Sequence, residues 1–207
     1  MLEVKDKIKE TAIHLFQRYG IRSVSMDDIA RELSISKKTI YQFYKDKDQI
    51  VTLGVVEHIE KERDEFQCLL NSSENAIDEM LKFSTCLKRN LGEINPALLF
   101  DLQKFHFSAW ELWVDFKNGF IKKTVLNVIK RGKEEGLFRP EINEEILACY
   151  RIEAIEMAFN QHVFPSEKFD FVELQITLMD HFLRGMLTMK GLLYYDELNN
   201  STTDENR

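Results

Sequence analysis

Two adjacent lysines, Lys37 and Lys38, open a short stretch in which apolar residues recur at helical spacing, with Ser36 before them and Thr39 after. A lysine pair at a helix start can donate to guanine O6 and N7 or to phosphate oxygens, and the free N–H groups there favour anions. Chemistry of that kind reads a nucleic acid and turns over no substrate. The remaining reactive side chains assemble into nothing catalytic. His14, His58, His106, His162 and His181 are scattered, and no Glu-x-x-His spacing suggests a di-iron bundle. Asp27-Asp28 and Glu134-Glu135 read as first-turn or solvated charges. The sequence contains no Walker loop, no G-x-G-x-x-G, no G-x-S-x-G and no H-E-x-x-H. The expectation is a protein that is not an enzyme, with no catalytic residue, no bound metal and no cofactor.

The elements that must position these residues are helices. Three prolines and eight glycines in 207 residues fall below the roughly 5% and 7% of an average chain. Val4, Ile8, Leu15, Phe16 and Tyr19 predict an amphipathic helix over 3–19, stopped at Gly20. Ser25 with Asp28 forms a capping-box pattern that starts a second helix, from about Met26 to Leu33. Ser34-Ile35-Ser36 is a turn, and Ser36 caps a third helix, from Lys37 to about Tyr44. Two short helices across such a turn make a helix-turn-helix, whose second member lies in the DNA major groove while the first braces it. Ala30 suits their close approach, and Ile29, Leu33, Ile35 and Ile40 supply a small core. Asp46 with Gln49 opens a fourth helix to about Leu70, roughly 37 Å long. Further helices are expected over 74–91, from Asn95-Pro96, over 108–135 up to Gly136, over 143–163 before Pro165, and over 170–195. Residues 196–207 are polar and expected to fray. The fold class is all-α, about nine helices, beginning with a three-helix helix-turn-helix module.

The net charge of −7 taken whole disfavours a nucleic-acid partner, but residues 1–50 carry ten Lys/Arg against eight Asp/Glu, and residues 51–207 eighteen against twenty-seven. Phosphate affinity depends on the local face, so the asymmetry permits two modules with different partners. The longest uncharged stretch, Met157 to Ser166, is ten residues, half of the roughly 20 a membrane span needs. The N-terminus mixes acids with bases and lacks an apolar segment, unlike a signal peptide. Cys68, Cys86 and Cys149 are odd in number and far apart, which fits buried thiols in a reducing cytoplasm.

Gly20-Ile21, Ser25-Met26-Asp27-Asp28-Ile29-Ala30, Leu33-Ser34-Ile35-Ser36 and Lys37-Lys38-Thr39-Ile40-Tyr41-Gln42-Phe43-Tyr44-Lys45-Asp46-Lys47 together resemble the TetR family of bacterial transcriptional regulators. Gly132-Lys-Glu-Glu-Gly136-Leu-Phe-Arg-Pro140 is similar to that family's end of helix seven. The resemblance implies a DNA-binding domain over 1–47, a ligand-binding and dimerisation domain over 48–195, and a polar tail over 196–207. It implies DNA contacts from Lys37, Lys38 and Thr39 at the start of the recognition helix, with Ser36 and Gln42 on the same element. Tyr41 occupies a phosphate-contacting aromatic position, Lys47 a phosphate-holding lysine, and Ser25 a cap whose hydroxyl and N–H meet the DNA backbone. Two features depart from the pattern. Ser34 stands at a turn position that is usually glycine, which costs on the order of 1 kcal/mol if left-handed. Phe43 stands where His or Tyr is common and makes an apolar contact at best, while Tyr44 replaces a core Phe and could bring its hydroxyl to the DNA edge.

The acidic remainder holds the aromatics Phe100, Phe105, Phe107, Trp110, Trp113, Phe116 and Phe120, a stripe that is either core or the wall of an apolar cavity. The resemblance places an effector pocket among these helices. Its candidates are Phe100, Phe107, Trp110, Trp113 and Met157 as lining, and Gln103, His106 and Glu153 as polar groups. Such a pocket suits a lipophilic effector, aromatic or cationic. Tyr150, Ala154 and Ala158 on one late helix, and Leu174, Leu178, Phe182 and Gly185 on the next, form stripes that are either intrachain core or a dimer surface. The resemblance favours an isologous homodimer on a palindromic operator. The expected partners are double-stranded DNA, a small-molecule effector and a second copy, with no membrane; the expected function is that of a ligand-released repressor. The alternative is a helical adaptor, which would not need Lys37, Lys38 and Lys47.

Overall fold

The computed structural model describes residues 2–91, 95 and 97–204. Two compact units divide the chain, residues 1–64 with 90–116 and residues 65–89 with 117–207. Among the described residues every regular element is a helix.

In the first unit, α1 (Leu2–Tyr19) turns Ile8, Ala12, Leu15 and Phe16 inward, an i, i+4, i+7, i+8 stripe, while Val4 and Tyr19 face solvent. Gly20 ends it in the left-handed region (φ +82°), its N–H on the Phe16 carbonyl at 2.9 Å. α2 (Met26–Glu32) starts from the Ser25 capping box and buries Met26, Ile29 and Ala30. α3 (Lys37–Tyr41) starts from Ser36 and buries Ile40. It stops before the expected Tyr44 because the Phe43 and Tyr44 N–H groups both turn onto the Ile40 carbonyl. α4 (Lys47–Ser72) buries Ile50, Val51 and Ile59. Beyond α5 (Ala76–Leu91), α6 (Ala97–Phe105) and α7 (Phe107–Phe116) complete the unit with Leu99, Leu102, Ala109 and Phe116 buried. Asn95 caps α6, its Oδ1 accepting the Ala97 N–H at 2.9 Å; Pro96, expected in the first turn, lies outside the described residues. The unit thus holds more than the 1–47 module expected from sequence.

In the second unit, Asn75 caps α5, its Oδ1 accepting from the Ile77 and Asp78 N–H groups at 3.0 Å each. The long helix expected over 108–135 is interrupted by a π turn, Lys117–Ile121, and resumes as α8 (Lys122–Glu134). Gly136 follows α8 in the left-handed region (φ +69°). Gly132 admits the Phe138 ring: a Cβ there would lie 2.1 Å from it. α9 (Glu144–Met157) starts on Asn143, and α10 (Phe171–Met186) on Asp170. The last expected helix is split. Leu187 is extended and bridges Phe138; the Arg139 N–H reaches the Met186 carbonyl at 2.8 Å and the Thr188 N–H the Leu137 carbonyl at 2.9 Å. Thr188 then caps α11 (Met189–Asp204), its hydroxyl oxygen accepting the Gly191 N–H at 3.1 Å. Helix therefore replaces the frayed tail expected over 196–204, and residues 205–207 lie outside the described residues.

Ser34 adopts φ +54°, a conformation that a Cβ penalises and glycine does not. Ser34→Gly should stabilise the chain by about 0.5–1 kcal/mol, the steric relief exceeding the entropy that glycine adds to the unfolded state. The measurement is the urea midpoint at unchanged m-value; a lower midpoint would show that the serine side chain outweighs its strain.

Candidate nucleic-acid interface

The outer face of the helix-turn-helix consists of the side chains that α2 and α3 turn away from Ile29, Ala30 and Ile40. Ser36 Oγ accepts the Thr39 N–H at 3.1 Å and shares a hydrogen bond with Thr39 Oγ1 at 2.8 Å, which fixes the first turn of α3. Lys37 Nζ donates to Asp27 Oδ2 at 2.8 Å, and that hydrogen bond raises the lysine pKa. Lys38, Tyr41 and Gln42 are exposed, and Phe43 is half-buried. At Ser25 the capping box is complete: Asp28 Oδ2 accepts the Ser25 N–H at 2.9 Å and its hydroxyl at 2.6 Å, and Ser25 Oγ accepts the Asp28 N–H at 3.2 Å. These hydrogen bonds hold the Asp28 carboxyl below its ordinary pKa. Both donors that Ser25 could offer a phosphate are thus engaged by Asp28.

Behind this face runs the connection from Gly20 to Val24, in which Gly20, Ile21 and Val24 are buried and backbone polar groups need partners. Lys47 supplies two. Its Nζ donates to the Ile21 carbonyl and, at 2.6 Å, to the Val24 carbonyl, and sits 5.7 Å from the centre of the Phe16 ring. Burial pushes its pKa below the ordinary value, opposed by the Asp101 and Asp28 charges. This corrects the expectation of a lysine presented to phosphate: one of its three N–H groups remains. Asp101 on α6 is buried and accepts the Arg22 N–H at 2.9 Å, and the Arg22 guanidinium lies 5.4 Å from the Phe105 ring centre. His106 directs Nδ1 at Asp48 Oδ1, 2.7 Å away in the first turn of α4. The Asn95 N–H reaches the Gln17 carbonyl at 2.7 Å. Tyr44 is core, and its hydroxyl donates inward to the Lys5 carbonyl at 2.8 Å, away from any DNA edge. Asp101 and Asp48 carry no motif that singles them out in the sequence.

The segment that builds this interface, residues 8–52, matches the family model described as bacterial regulatory proteins, tetR family. Over 187 residues, 87% of this chain and 94% of the other, the sequence is 28% identical to the HTH-type transcriptional regulator YvaF of Bacillus subtilis strain 168. Residues 8–52 are thus similar to the segment that defines the tetR family. An HTH-type transcriptional regulator of Staphylococcus aureus strain USA300 is 26% identical over 123 residues, 55% of this chain and 66% of that one. Two solved structures share the fold. A transcriptional regulator from Saccharomonospora viridis in complex with choline superposes with TM-score 0.76 at 19% identity, covering 91% of this chain and 100% of that one. A TetR-family regulator from Streptomyces coelicolor gives 0.67 at 14%, covering 89% and 96%. Among the described residues the fold is all-α and opens with a helix-turn-helix, as in the regulators it resembles.

The other candidates divide between the two units. In the first, Phe100, Gln103 and Phe107 are exposed rather than lining a cavity, because α6 and α7 turn Leu99, Asp101, Leu102 and Ala109 inward. His106 is held by Asp48, Trp110 is half-buried, and Trp113 lies 6.0 Å from Phe116 with its buried Nε1–H unpartnered. In the second, Glu153 and Met157 sit on the outward face of α9 with Ile146 and Tyr150. Of the dimer candidates, Tyr150 is 48% exposed, Gly185 is exposed, and Leu174 and Leu178 are half-buried. Phe182 is buried, its ring 6.1 Å from that of Tyr150. Ala154 and Ala158 are buried within their own unit. A stripe taken every fourth residue drifts about 40° per step, so it crosses from the exposed face at Tyr150 to the buried one.

Asp101→Ala leaves the Arg22 N–H without its acceptor and removes the carboxylate near Lys47. The expected loss is about 1–3 kcal/mol, read as a lower urea midpoint. Asp101→Asn should fall between, because its amide oxygen still accepts. An unchanged midpoint for the alanine variant would remove Asp101 from the interactions that hold the helix-turn-helix.

Proposed function

We propose that this regulator binds a palindromic operator as a homodimer and represses transcription until a small lipophilic effector releases it. The observation that carries the DNA reading is the outward face of α3, where Lys38, Tyr41 and Gln42 stand exposed beside the Lys37–Asp27 pair. A glutamine amide can pair with adenine, a lysine can donate to guanine or phosphate, and a tyrosine hydroxyl can donate to phosphate. On docking, Lys37 and Ser25 exchange Asp27 and Asp28 for phosphate oxygens. The dimer reading is supported by an apolar strip on α9, α10 and the turn before α9, where Ile142, Ile146, Tyr150, Phe182 and Gly185 line a groove. Such a strip fits an isologous interface that sets two recognition helices roughly 34–36 Å apart, one per half-site. That a helical fold of this kind can hold a small molecule is supported by the Saccharomonospora viridis neighbour solved with choline. Movement of α6 carries the DNA-binding module with it, because Asp101 holds Arg22 and His106 holds Asp48. DNA and effector then oppose each other by about 1–3 kcal/mol, and equal effector affinity for free and operator-bound protein would defeat that reading.

Fluorescence anisotropy on DNA from upstream of its own gene should show sequence-selective binding that weakens steeply with salt. Lys38→Ala should weaken binding and make the slope of log K against log salt shallower by about 0.9 for each phosphate no longer neutralised. Binding equal to scrambled DNA at every salt, with no site recovered from random-sequence selection, overturns the DNA reading. For the dimer, sedimentation velocity should show two copies for the parent chain and one for Tyr150→Glu, with operator affinity reduced in the variant. A parent chain that sediments as a monomer at micromolar concentration overturns that part.

A further inference from the structure

Arg151 lies on α9 with only 2% of its surface exposed, on the same face as Ala148, Ile152 and Ala154. Its Nη1 has no hydrogen-bond partner. Other cations drawn into this unit come with acids: Lys117 of the π turn has Glu156 at 2.6 Å and Glu153 at 3.8 Å, and Arg131 has Glu79 at 3.0 Å and Glu135 at 2.7 Å. Of the acids on α9 and α10, Glu144 pairs with Lys133 at 2.9 Å, Glu153 and Glu156 with Lys117, and Asp180 with Arg184 at 3.1 Å and the Tyr195 hydroxyl at 2.6 Å, while Glu145 and Glu173 are exposed. Burial lowers the guanidinium pKa to about 10, and the opposing influence is the Tyr150 phenol, with no carboxylate contributing. One turn further along α9, the Ile155 carbonyl accepts from Gln175 Nε2 on α10 at 3.2 Å. Gln175 is equally buried, and its Oε1 has no partner. Arg151 on α9 is therefore an unpaired buried cationic donor, and Gln175 on α10, hydrogen-bonded to the next turn of α9, an unpaired buried amide acceptor; the other buried side chains of the two helices include Ile152, Met179 and Phe182.

A buried charge without a counter-ion is strongly unfavourable, and a guanidinium fork matches a carboxylate in shape as well as charge. We infer that the seam of α9 and α10 takes a small lipophilic carboxylate, Arg151 pairing with the carboxylate and Gln175 Oε1 accepting from a hydroxyl or N–H on the same ligand. A cationic ligand such as a quaternary ammonium is repelled from this position. The inference deepens the effector reading above and rests on it for regulation, though not for binding.

The test is thermal melting of the full chain with hexanoate and 2-hydroxyhexanoate, against 1-hexanol and hexylammonium, at matched ionic strength. Both carboxylates should raise the melting temperature, the hydroxy acid more, while the alcohol and the amine do not. Arg151→Met should fold by circular dichroism, melt no lower than the parent without ligand, and need at least roughly tenfold more carboxylate for the same rise. Arg151→Lys, which keeps the charge, should retain part of the rise. Gln175→Leu should keep the rise and lose the preference for the hydroxy acid. Absence of any carboxylate-dependent rise in the parent overturns the inference, as does a rise that survives intact in Arg151→Met. Anisotropy on operator DNA separates the two readings: carboxylate that raises the melting temperature yet leaves DNA affinity unchanged keeps the site and removes its regulatory role.

Discussion

The connection between α1 and α2 sets the geometry on which the DNA-binding module depends. It is short and partly buried, and has no helix of its own to satisfy its backbone. Two charged side chains from distant parts of the chain do so instead: Lys47 donates to the Ile21 and Val24 carbonyls, and Asp101 accepts the Arg22 N–H. Hydrogen bonds with one ionised partner are roughly twice as strong as neutral ones, so a loop that would otherwise pivot at Gly20 is fixed. The loop in turn fixes where α2 begins, and α2 fixes α3 through Ile29, Ala30 and Ile40. The ammonium and the carboxylate attract each other at a distance, which offsets part of the cost of drawing each out of water.

The same economy of charge shapes the outer face. Asp27 and Asp28 occupy the first turn of α2, where the helix dipole favours acids. They hold Lys37 and Ser25 in the absence of DNA, keeping the surface ordered and its donors oriented. An arriving phosphate then competes with carboxylates already in place, and each exchange trades one anion for another. Most of the attraction must come from groups with no acid to leave, which puts Lys38, Tyr41 and Gln42 at the centre of the proposed contact. The chain's net charge of −7 says little about this, because the balance is struck over a few ångströms.

Local chemistry was legible in the sequence wherever one residue type dictates one conformation. The Ser25–Asp28 box, the Ser36 cap and the helix stops at Gly20 and Gly136 all stand where the sequence pattern places them. The left-handed Ser34 follows from the turn pattern despite the missing glycine. What pairing in space decides was hidden. Nothing at Leu187 breaks a helix locally; the break comes from its bridge to Phe138, almost fifty residues earlier. An acid on α6 reads as solvated unless its phase with the buried Leu99 and Leu102 is followed, and that phase puts Asp101 inside. Arg151 gave a similar signal, a charge in step with Ala148, Ile152 and Ala158 on the apolar side of α9. Lys47 was legible as important, but a lysine stem can turn either way, and two buried carbonyls decided which.

The sparse cationic surface of the DNA-binding module bears on why a second copy belongs in the proposed function. On its recognition helix one module offers Lys38 and a Lys37 shared with Asp27. Non-specific affinity scales with phosphates neutralised, so on the proposed reading one module alone holds DNA weakly at physiological salt. Joining two modules turns the second docking into an intramolecular event at high effective concentration, which raises affinity without any new kind of interaction. The gain depends on spacing: two modules held at half-site distance reinforce each other, and two held apart do not. Weak single modules therefore make DNA affinity sensitive to small displacements of α6 and its partners, since a change in spacing removes nearly all the gain at once. A strongly basic module would bind regardless of spacing and could not be released this way. The modest charge of residues 1–50 is thereby a requirement of the proposed regulation.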